Sequence, residues 1–427
     1  MIVRVTARWV LPIAAPSLPG GWIDVDTSRD EIVGVGAREA MHASSARGRV
    51  ARVVDLPDAV LLPGLVNVHT HLELSHLAGR VPPADAFVSW VRSMLAARFG
   101  TPTAISAITD AATAAIDFME RTGTAAVGDI GNSDAVIGPL IASSLHGIHF
   151  SEALGFDPAD ASRVHGDTEL QAWLTGARLK DATNGRLRAS VAPHAPYSTS
   201  APLIQSLAAG LELDVPKVVE SSIHLGESPE EVEFLGRGTG PFQSLLEDMG
   251  RPVAAWQPPG LRPVDYLQSL GALHARLLIV HGTQLTTSEL EILASVGATL
   301  ALCARSNRWV GAGIPPVAAA VKAGVPLAIG TDSLASVEDL NLFAEMAYLR
   351  GVAPDVSAAT LLHAATLGGA RALGCPTLGR LAPGASSRVL MRTPPADVTD
   401  VEQWLVAEAA DTHDLRWLPD VVRDAVG

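Results

Sequence analysis

Cysteine is almost missing from this chain: Cys303 and Cys375 are the two in 427 residues. They lie far apart, so neither a disulfide framework nor a Cys-x-x-Cys metal knuckle can be built, and a reducing cytoplasm is the expected location. The Pro-Cys-x-x-Cys signature of the small zinc deaminases is excluded with them. Basic residues are in deficit, 31 Lys and Arg against 45 Asp and Glu, for a net charge of −14 and no basic cluster. Phosphate neutralisation needs a concentrated cationic face, so no nucleic-acid partner is expected. No apolar run approaches the ~18 residues of a membrane span, and no membrane partner is expected either. Arg4, Arg8 and the stretch Val10 to Ala15 loosely imitate a signal peptide. That apolar part is short and broken by Pro12, so the segment is expected to be mature structure. Gly-x-Ser-x-Gly and Gly-Lys-Ser/Thr are both absent, and Gly236-x-Gly238-x-Gly240 has no preceding strand, which makes it a loop.

What is present is length and apolar content. With 48% hydrophobic residues and a mean hydropathy of +0.26, the chain can bury a barrel-sized core plus a smaller second domain. Residues 1 to about 60 read as short strands and turns, at Ile2–Val5, Trp22–Val25, Ile32–Val35 and Val50–Asp55. From Leu61 to Leu373 short apolar strands alternate with helical stretches. The strands are Val66–His71, Ala125–Asp129, His146–Glu152, Arg188–Pro193, Val218–His224, Leu277–His281, Thr299–Cys303 and Leu327–Asp332. Ala104–Arg121, Leu203–Ala209 and Thr287–Val296 are helical between them. Eight strands each followed by a helix predict an α/β fold, a parallel (β/α)8 TIM barrel over 61–373. The short strands return after Leu373, so 1–60 and 374–427 are expected to form one small β-sandwich-like domain from both termini.

His69-Thr70-His71 closes the apolar run that begins at Leu61. Side chains alternate along a strand, so both imidazoles face one side and can hold one cation. His194, His224, His281 and Asp332 also stand at the ends of predicted strands, where a barrel places its active site. Three neutral imidazoles, His69, His71 and His224, with the carboxylate of Asp332, suit one divalent ion, Zn²⁺ first and Fe²⁺ second. Such an ion lowers the pKa of its water toward ~7. Asp332 is placed to accept that water's proton, and His281 to orient the water from just outside the ligand set. Glu227 follows His224 by three positions, and Ser228-Pro229-Glu230-Glu231 behind it makes a helix start. A carboxylic acid in that loop can protonate a ring nitrogen while the adjacent carbon is attacked, then pass a proton to the departing amine.

The chain resembles the amidohydrolase superfamily, in the branch of cytosine, guanine and adenine-nucleoside deaminases and triazine hydrolases. The resemblance runs in order through Pro63-Gly64-Leu65-Val66-Asn67-Val68-His69-Thr70-His71-Leu72-Glu73, Pro193-His194-Ala195-Pro196-Tyr197-Ser198, His224-Leu225-Gly226-Glu227-Ser228, Val280-His281-Gly282 and Gly330-Thr331-Asp332-Ser333. Leu378-Gly379-Arg380-Leu381-Ala382-Pro383-Gly384 resembles the same family's terminal domain. The resemblance implies a mononuclear metal hydrolase with a glutamate proton shuttle. It also implies that His194, standing where binuclear relatives carry a carboxylated lysine, is a substrate contact. Two departures stand out. Where the family has Cys-Pro-x-Ser-Asn this chain has Cys303-Ala304-Arg305-Ser306-Asn307, expected to spare the metal site and reshape one wall of the pocket. Ala385-Ser386-Ser387-Arg388 replaces the family's Lys-x-Ala-Asp after Pro-Gly, with no catalytic consequence.

Longer stretches, His71-Leu72-Glu73-Leu74-Ser75, Phe87-Val88-Ser89-Trp90-Val91 and Glu227 through Leu235, are similar to deaminases of 6-aminodeoxyfutalosine, an adenine nucleoside of menaquinone synthesis. Glu73, Trp90 and His194 are the expected pocket residues, and Arg305 or Arg92 would meet a substrate carboxylate. The competing activities are dechlorination, guanine deamination and deimination of an amidine, with a metal-free scaffold barrel as the non-catalytic alternative. The expected partner is a small-molecule substrate, with a homodimer left open.

Overall fold

The computed structural model describes residues 1–43, 50–213 and 220–426. They form two compact units, one of Met1–Asn67, Phe118–Ala126 and Asn341–Gly427, the other of Val68–Asp117 and Val127–Leu340.

In the first unit, β1 (Ile2–Val10), β2 (Leu18–Pro19), β3 (Trp22–Asp26), β4 (Glu31–Gly36) and β5 (Val50–Pro63) meet two strands from the far end of the chain, β14 (Val389–Arg392) and β15 (Arg416–Trp417). The sheet order is β15-β14-β5-β1-β3-β4, with β2 paired to β1. β5 is far longer than Val50–Asp55. It tolerates Pro57 because its register against β1 shifts between Ala7 and Trp9, where no ladder hydrogen bond is needed from that residue. The termini therefore do share one sheet, but the sandwich expectation is corrected. Among the described residues this unit has one sheet, and the helix Leu418–Val426 packs Leu418, Val421 and Val422 into the same core as Val3, Val5, Ile23 and Val389. Three apolar positions on one helical face do the covering that a second sheet would have done. This unit also takes in more than 1–60 and 374–427. Asn341 Nδ2 donates to the carbonyl of Ala410 at 2.7 Å and Arg350 Nε to Gln403 Oε1 at 3.0 Å, which ties the helix Leu342–Val352 to the C-terminal segment.

Eight further strands carry the candidate site: β6 (Leu65–Thr70), β7 (Thr124–Gly131), β8 (His146–Ala153), β9 (Leu187–Pro193), β10 (Ser221–Leu225), β11 (Leu277–His281), β12 (Thr299–Leu302) and β13 (Leu327–Ile329). They form two four-stranded sheets, β6-β7-β8-β9 and β10-β11-β12-β13, with parallel pairing from β8 to β9 and from β10 through β13. Every residue of β6, β7, β10, β11 and β13 is buried, as expected of parallel strands covered on both faces. Of the predicted strand Val218–His224, residues 218 and 219 lie outside the described residues.

Backbone hydrogen bonds continue past the strand ends. His224 N–H donates to His194 O at 2.9 Å, while Thr331 and Asp332 N–H donate to His69 O at 3.2 and 3.0 Å. The last contact requires Gly330. A Cβ there would stand 2.7 Å from His69 Cβ and 3.0 Å from its backbone nitrogen, so only glycine lets β13 come this close to β6.

Candidate active site

His69 is the next-to-last residue of β6, its side chain fully buried, and among the described residues neither ring nitrogen has a hydrogen-bond partner. A buried imidazole left so bare costs about 1–3 kcal/mol per unsatisfied group, which is tolerated where something else is bound. His71 stands just past the strand, and the two rings lie edge to face, with centroids 4.9 Å apart. His71 Nε2 faces His224 Nε2 at 3.3 Å. His224 Nδ1 lies 2.9 Å from the carbonyl oxygen of His194. A carbonyl only accepts, so Nδ1 carries the proton and Nε2 presents its lone pair toward His71. Asp332 Oδ1 lies 3.7 Å from both His69 Nε2 and His71 Nε2.

These separations fit a cation. Ligands about 2.1 Å from a central ion at the corners of a tetrahedron lie about 3.4 Å apart. Ligand atoms of His69, His71 and His224 fall within 4.8 Å of one another, as do those of His69, His281 and Asp332. Burial, with the neighbouring imidazoles, holds His71 down to about 3 and His224 well below the ordinary histidine value. Both are neutral donors at neutral pH. Burial alone would raise Asp332, but the rings of His69, His71 and His281 more than offset it and hold this carboxylate well below its usual range.

Glu227 takes the opposite course. Burial first, then the charge of Asp332, pushes its carboxyl well above the ordinary value, so it keeps its proton. The loop that carries it is anchored from the predicted helix start. Ser228 caps the helix Pro229–Arg237 by accepting from Glu231 N–H, and the Glu231 carboxylate accepts from Gly226 N–H at 2.9 Å and Glu227 N–H at 2.8 Å. The Thr283 hydroxyl donates to Glu227 O. Glu227 Oε1 then lies 3.4 Å from His281 Nε2. His281 is neutral, held down to about 3 mainly by burial. Its φ is +74° and that of Asp332 is +64°. For non-glycine residues this left-handed region costs about 1–3 kcal/mol each, and such strain gathers at functional sites.

A cavity of about 410 Å³ opens onto His71, His224, Glu227, His281 and Asp332. Glu73, Trp90 and His194 line it, with Phe87, Met94, Phe156, Tyr197 and Phe242 among its apolar neighbours. Glu73 already accepts from Arg98 at 2.6 Å and from Asn132 N–H at 3.0 Å. Trp90 donates to Ala335 O at 3.3 Å. Arg305 and Arg92, expected at a substrate carboxylate, do not line this cavity. Arg305 binds Asp339 at 2.8 Å and Glu338 at 3.2 Å, and Arg92 binds Asp248 at 2.7 Å. The cause is helical phase: in Ala304–Trp309 it is Ser306 and Asn307 that turn inward, fully buried, while Arg305 meets exposed acids.

Sequence reasoning missed Ser306 and Asn307 as neighbours of the site, having assigned their segment to a pocket wall. Ser306 Oγ is 2.6 Å from Asp332 Oδ2, and Asn307 Nδ2 is 2.9 Å from His281 Nδ1. It missed Glu152 too, although the rule that picked the histidines applies to this last residue of the predicted third strand. Glu152 Oε1 is buried with no hydrogen-bond partner among the described residues, and lies 3.9 Å from His194 Nε2. Burial first, then Glu73, raises its carboxyl to about 8.

A family model described as the Amidohydrolase family matches residues 60–387. A 5-methylthioadenosine/S-adenosylhomocysteine deaminase of Nitratidesulfovibrio vulgaris is 34% identical over 381 residues, covering 86% of this chain and 76% of the relative. An aminodeoxyfutalosine deaminase of Deinococcus radiodurans is 32% identical over 361 residues, 80% of each chain. Among solved structures, an adenosine deaminase from Xanthomonas campestris with bound zinc superposes with a TM-score of 0.77 at 29% identity, covering 97% of this chain and 90% of that one.

Proposed function

This chain belongs to the amidohydrolase family, whose deaminase relatives mark it as a hydrolytic enzyme of C–N bonds, and we propose that it is a metal-dependent aminohydrolase releasing ammonia from an adenine nucleoside. The observation that carries the proposal is the convergence of His69, His71, His224 and Asp332 beside a buried, protonated Glu227. We read the two four-stranded sheets as halves of one (β/α)8 barrel. The backbone bonds from His224 to His194 and from Asp332 to His69 support that closure, with the site at the carboxyl ends of the strands.

His69, His71, His224 and Asp332 would hold one divalent ion, Zn²⁺ in our proposal, although Fe²⁺ accepts the same donors. When bound, that ion supplies the Lewis acidity that brings a water's pKa toward ~7. His281, with its ring fixed against Asn307, orients the water. Asp332 takes its proton. Glu227 gives its own proton to the ring nitrogen beside the attacked carbon; the resulting carboxylate then takes the proton of the newly attached hydroxyl and passes it to the amine as the C–N bond breaks, and the proton held by Asp332 returns to Glu227 through solvent as ammonia leaves. Trp90, His194 and Glu73 bound the space for the nucleoside, and the apolar wall of Phe87, Met94, Phe156 and Phe242 suits an uncharged or aromatic arm.

We put 6-aminodeoxyfutalosine first among substrates, which would place the reaction in menaquinone synthesis, and 5-methylthioadenosine second. Ammonia release from adenosine, both of these nucleosides and S-adenosylhomocysteine, with protein of assayed zinc content, tests the reading. Release from one or more supports it. Silence across the panel from protein carrying one equivalent of zinc refutes the nucleoside assignment.

A further inference from the structure

We propose that Ser306 and Asn307 are a pair of positioning residues, Ser306 fixing the rotation of the Asp332 carboxylate and Asn307 fixing the ring tautomer of His281. The inference rests on the reading of the site as a hydrolytic metal centre, and it assigns work to two residues that face neither the cavity nor the proposed ion.

The sheet order makes the pairing possible. β12 lies between β11, which ends at His281, and β13, which leads to Asp332. The short helix Ala304–Trp309 rises directly from the end of β12. Adjacent residues on a helix diverge by about 100°, so two neighbours can reach the two flanking strand ends. Ser306 turns to one and Asn307 to the other, and both are fully buried.

On one side, Ser306 Oγ lies 2.6 Å from Asp332 Oδ2, with Ser336 Oγ 2.9 Å behind it. The hydroxyl donates to the carboxylate, which occupies Oδ2 and turns Oδ1 toward His69 and His71, 3.7 Å from each. On the other side, Asn307 Nδ2 is 2.9 Å from His281 Nδ1. An amide nitrogen only donates, so Nδ1 holds a lone pair and the ring proton sits on Nε2, facing Glu227 Oε1 at 3.4 Å. Asn307 is itself held by backbone bonds, its N–H to Cys303 O and its carbonyl from Ala312 N–H, both 2.9 Å. The two residues so anchored, His281 and Asp332, carry the left-handed backbone of this site. Strained backbone persists only where surrounding contacts over-determine it, and this pair supplies those contacts at the side chains.

Two readouts test the proposal in the full-length protein. Nitrogen-15 NMR of histidine-labelled protein, with the His281 signals identified by their loss in His281→Ala, reports the ring tautomer. The expected result is an Nε2-protonated ring that moves to the Nδ1-protonated form, or to both nitrogens protonated, in Asn307→Asp. An Nδ1-protonated ring in the wild type, or no change in Asn307→Asp, overturns the Asn307 assignment. Chelator competition reports zinc affinity. Ser306→Ala is expected to weaken zinc about 10–100-fold, the usual cost of removing a group that orients a metal ligand, and Ser306→Thr to restore it by keeping the hydroxyl. Unchanged affinity in a Ser306→Ala protein with wild-type circular dichroism, or failure of the threonine to rescue it, overturns the Ser306 assignment. A wild type that binds no zinc overturns that assignment together with the proposed function, while the tautomer still decides Asn307 by itself.

Discussion

Replacing Glu227 by Gln removes a proton donor while leaving nearly everything else in place. Glu227 is 3% exposed, and burial raises its carboxyl well above the ordinary value toward the neutral form, so an amide of the same shape introduces no new charge. The loop is held through the main chain, by Glu231 accepting from Gly226 and Glu227 and by Thr283 donating to Glu227 O, none of which involves the Glu227 carboxyl. Stability should therefore change by less than about 1 kcal/mol. Catalysis should fall much further, because a positioned general acid contributes about 10²–10⁴-fold, or roughly 3–5 kcal/mol of barrier at 1.36 kcal/mol per decade. KM should stay within about threefold, since the lost interaction belongs to proton transfer. The sign of the pH effect is also fixed. Wild-type kcat/KM declines as pH rises through the elevated pKa of Glu227, because the acid form is then lost, and the Gln variant lacks that limb. Steady-state ammonia release over a pH series, with zinc content matched between the two proteins, measures all of this. A Gln variant with kcat within threefold of wild type would refute the shuttle and return Glu227 to a structural role in its loop.

Gly330→Ala should cost about 1–3 kcal/mol and weaken zinc binding, since the new methyl meets His69 Cβ at 2.7 Å and Cys303 Sγ at 3.0 Å, and neither is the yielding end of a long side chain; thermal melts of metal-free and zinc-loaded protein check it, and an unchanged melt would contradict the close approach. Glu152→Gln should stabilise the metal-free protein more at about pH 8.5 than at about pH 5, by on the order of 1–4 kcal/mol. The folded carboxyl titrates near 8 against 4.5 for the ordinary group. The folded state therefore binds the proton more tightly, and the ionisation penalty is absent below the lower value and complete above the upper one. Urea unfolding at the two pH values tests the sign, which a smaller gain at the higher pH would reverse. Arg305→Ala should leave kcat and KM within about twofold, because its guanidinium lies outside the cavity and pairs with Asp339 and Glu338; a large rise in KM would restore it to the substrate pocket.

The strand ends were legible because they obey a simple periodicity. His-x-His on an apolar strand, a histidine or aspartate after each short buried run, and Ser-Pro-Glu-Glu at a helix start are local rules. The structure brings those residues together from β6, β10, β11 and the loop after β13. The arginines were not legible, because whether Arg305 faces a cavity or Asp339 depends on the phase of a six-residue helix that no periodicity can set. Nor was the helix Leu418–Val426 as cover for the terminal sheet: it follows a stretch that reads as strand and turn, and only the packing of Val421 and Val422 reveals the face. The extent of β5 was hidden by Pro57, which ordinarily argues against a strand and here coincides with a shift in register.

The division of labour between the two buried carboxyls is the feature furthest from the sequence. Asp332 and Glu227 both follow strand ends, and nothing in their types says which keeps a proton. Burial acts on both in the same direction, raising both. What separates them is company. Asp332 sits among three imidazoles whose combined effect exceeds its burial, so it stays ionised. Glu227 faces the ring of His281 at 3.4 Å, and after burial the nearby charge of Asp332 pushes it further up. Each state thus reinforces the other, because the ionised aspartate is one reason the glutamate remains an acid. Two carboxyls driven apart in this way supply an acid and a base at one pH from identical functional groups. A cation among the imidazoles would hold Asp332 ionised more firmly still, and the base would then be fixed by the metal while the acid is fixed by burial. Holding those two assignments in place falls to the uncharged side chains behind them, Ser306 at the base and Asn307 at the ring that faces the acid.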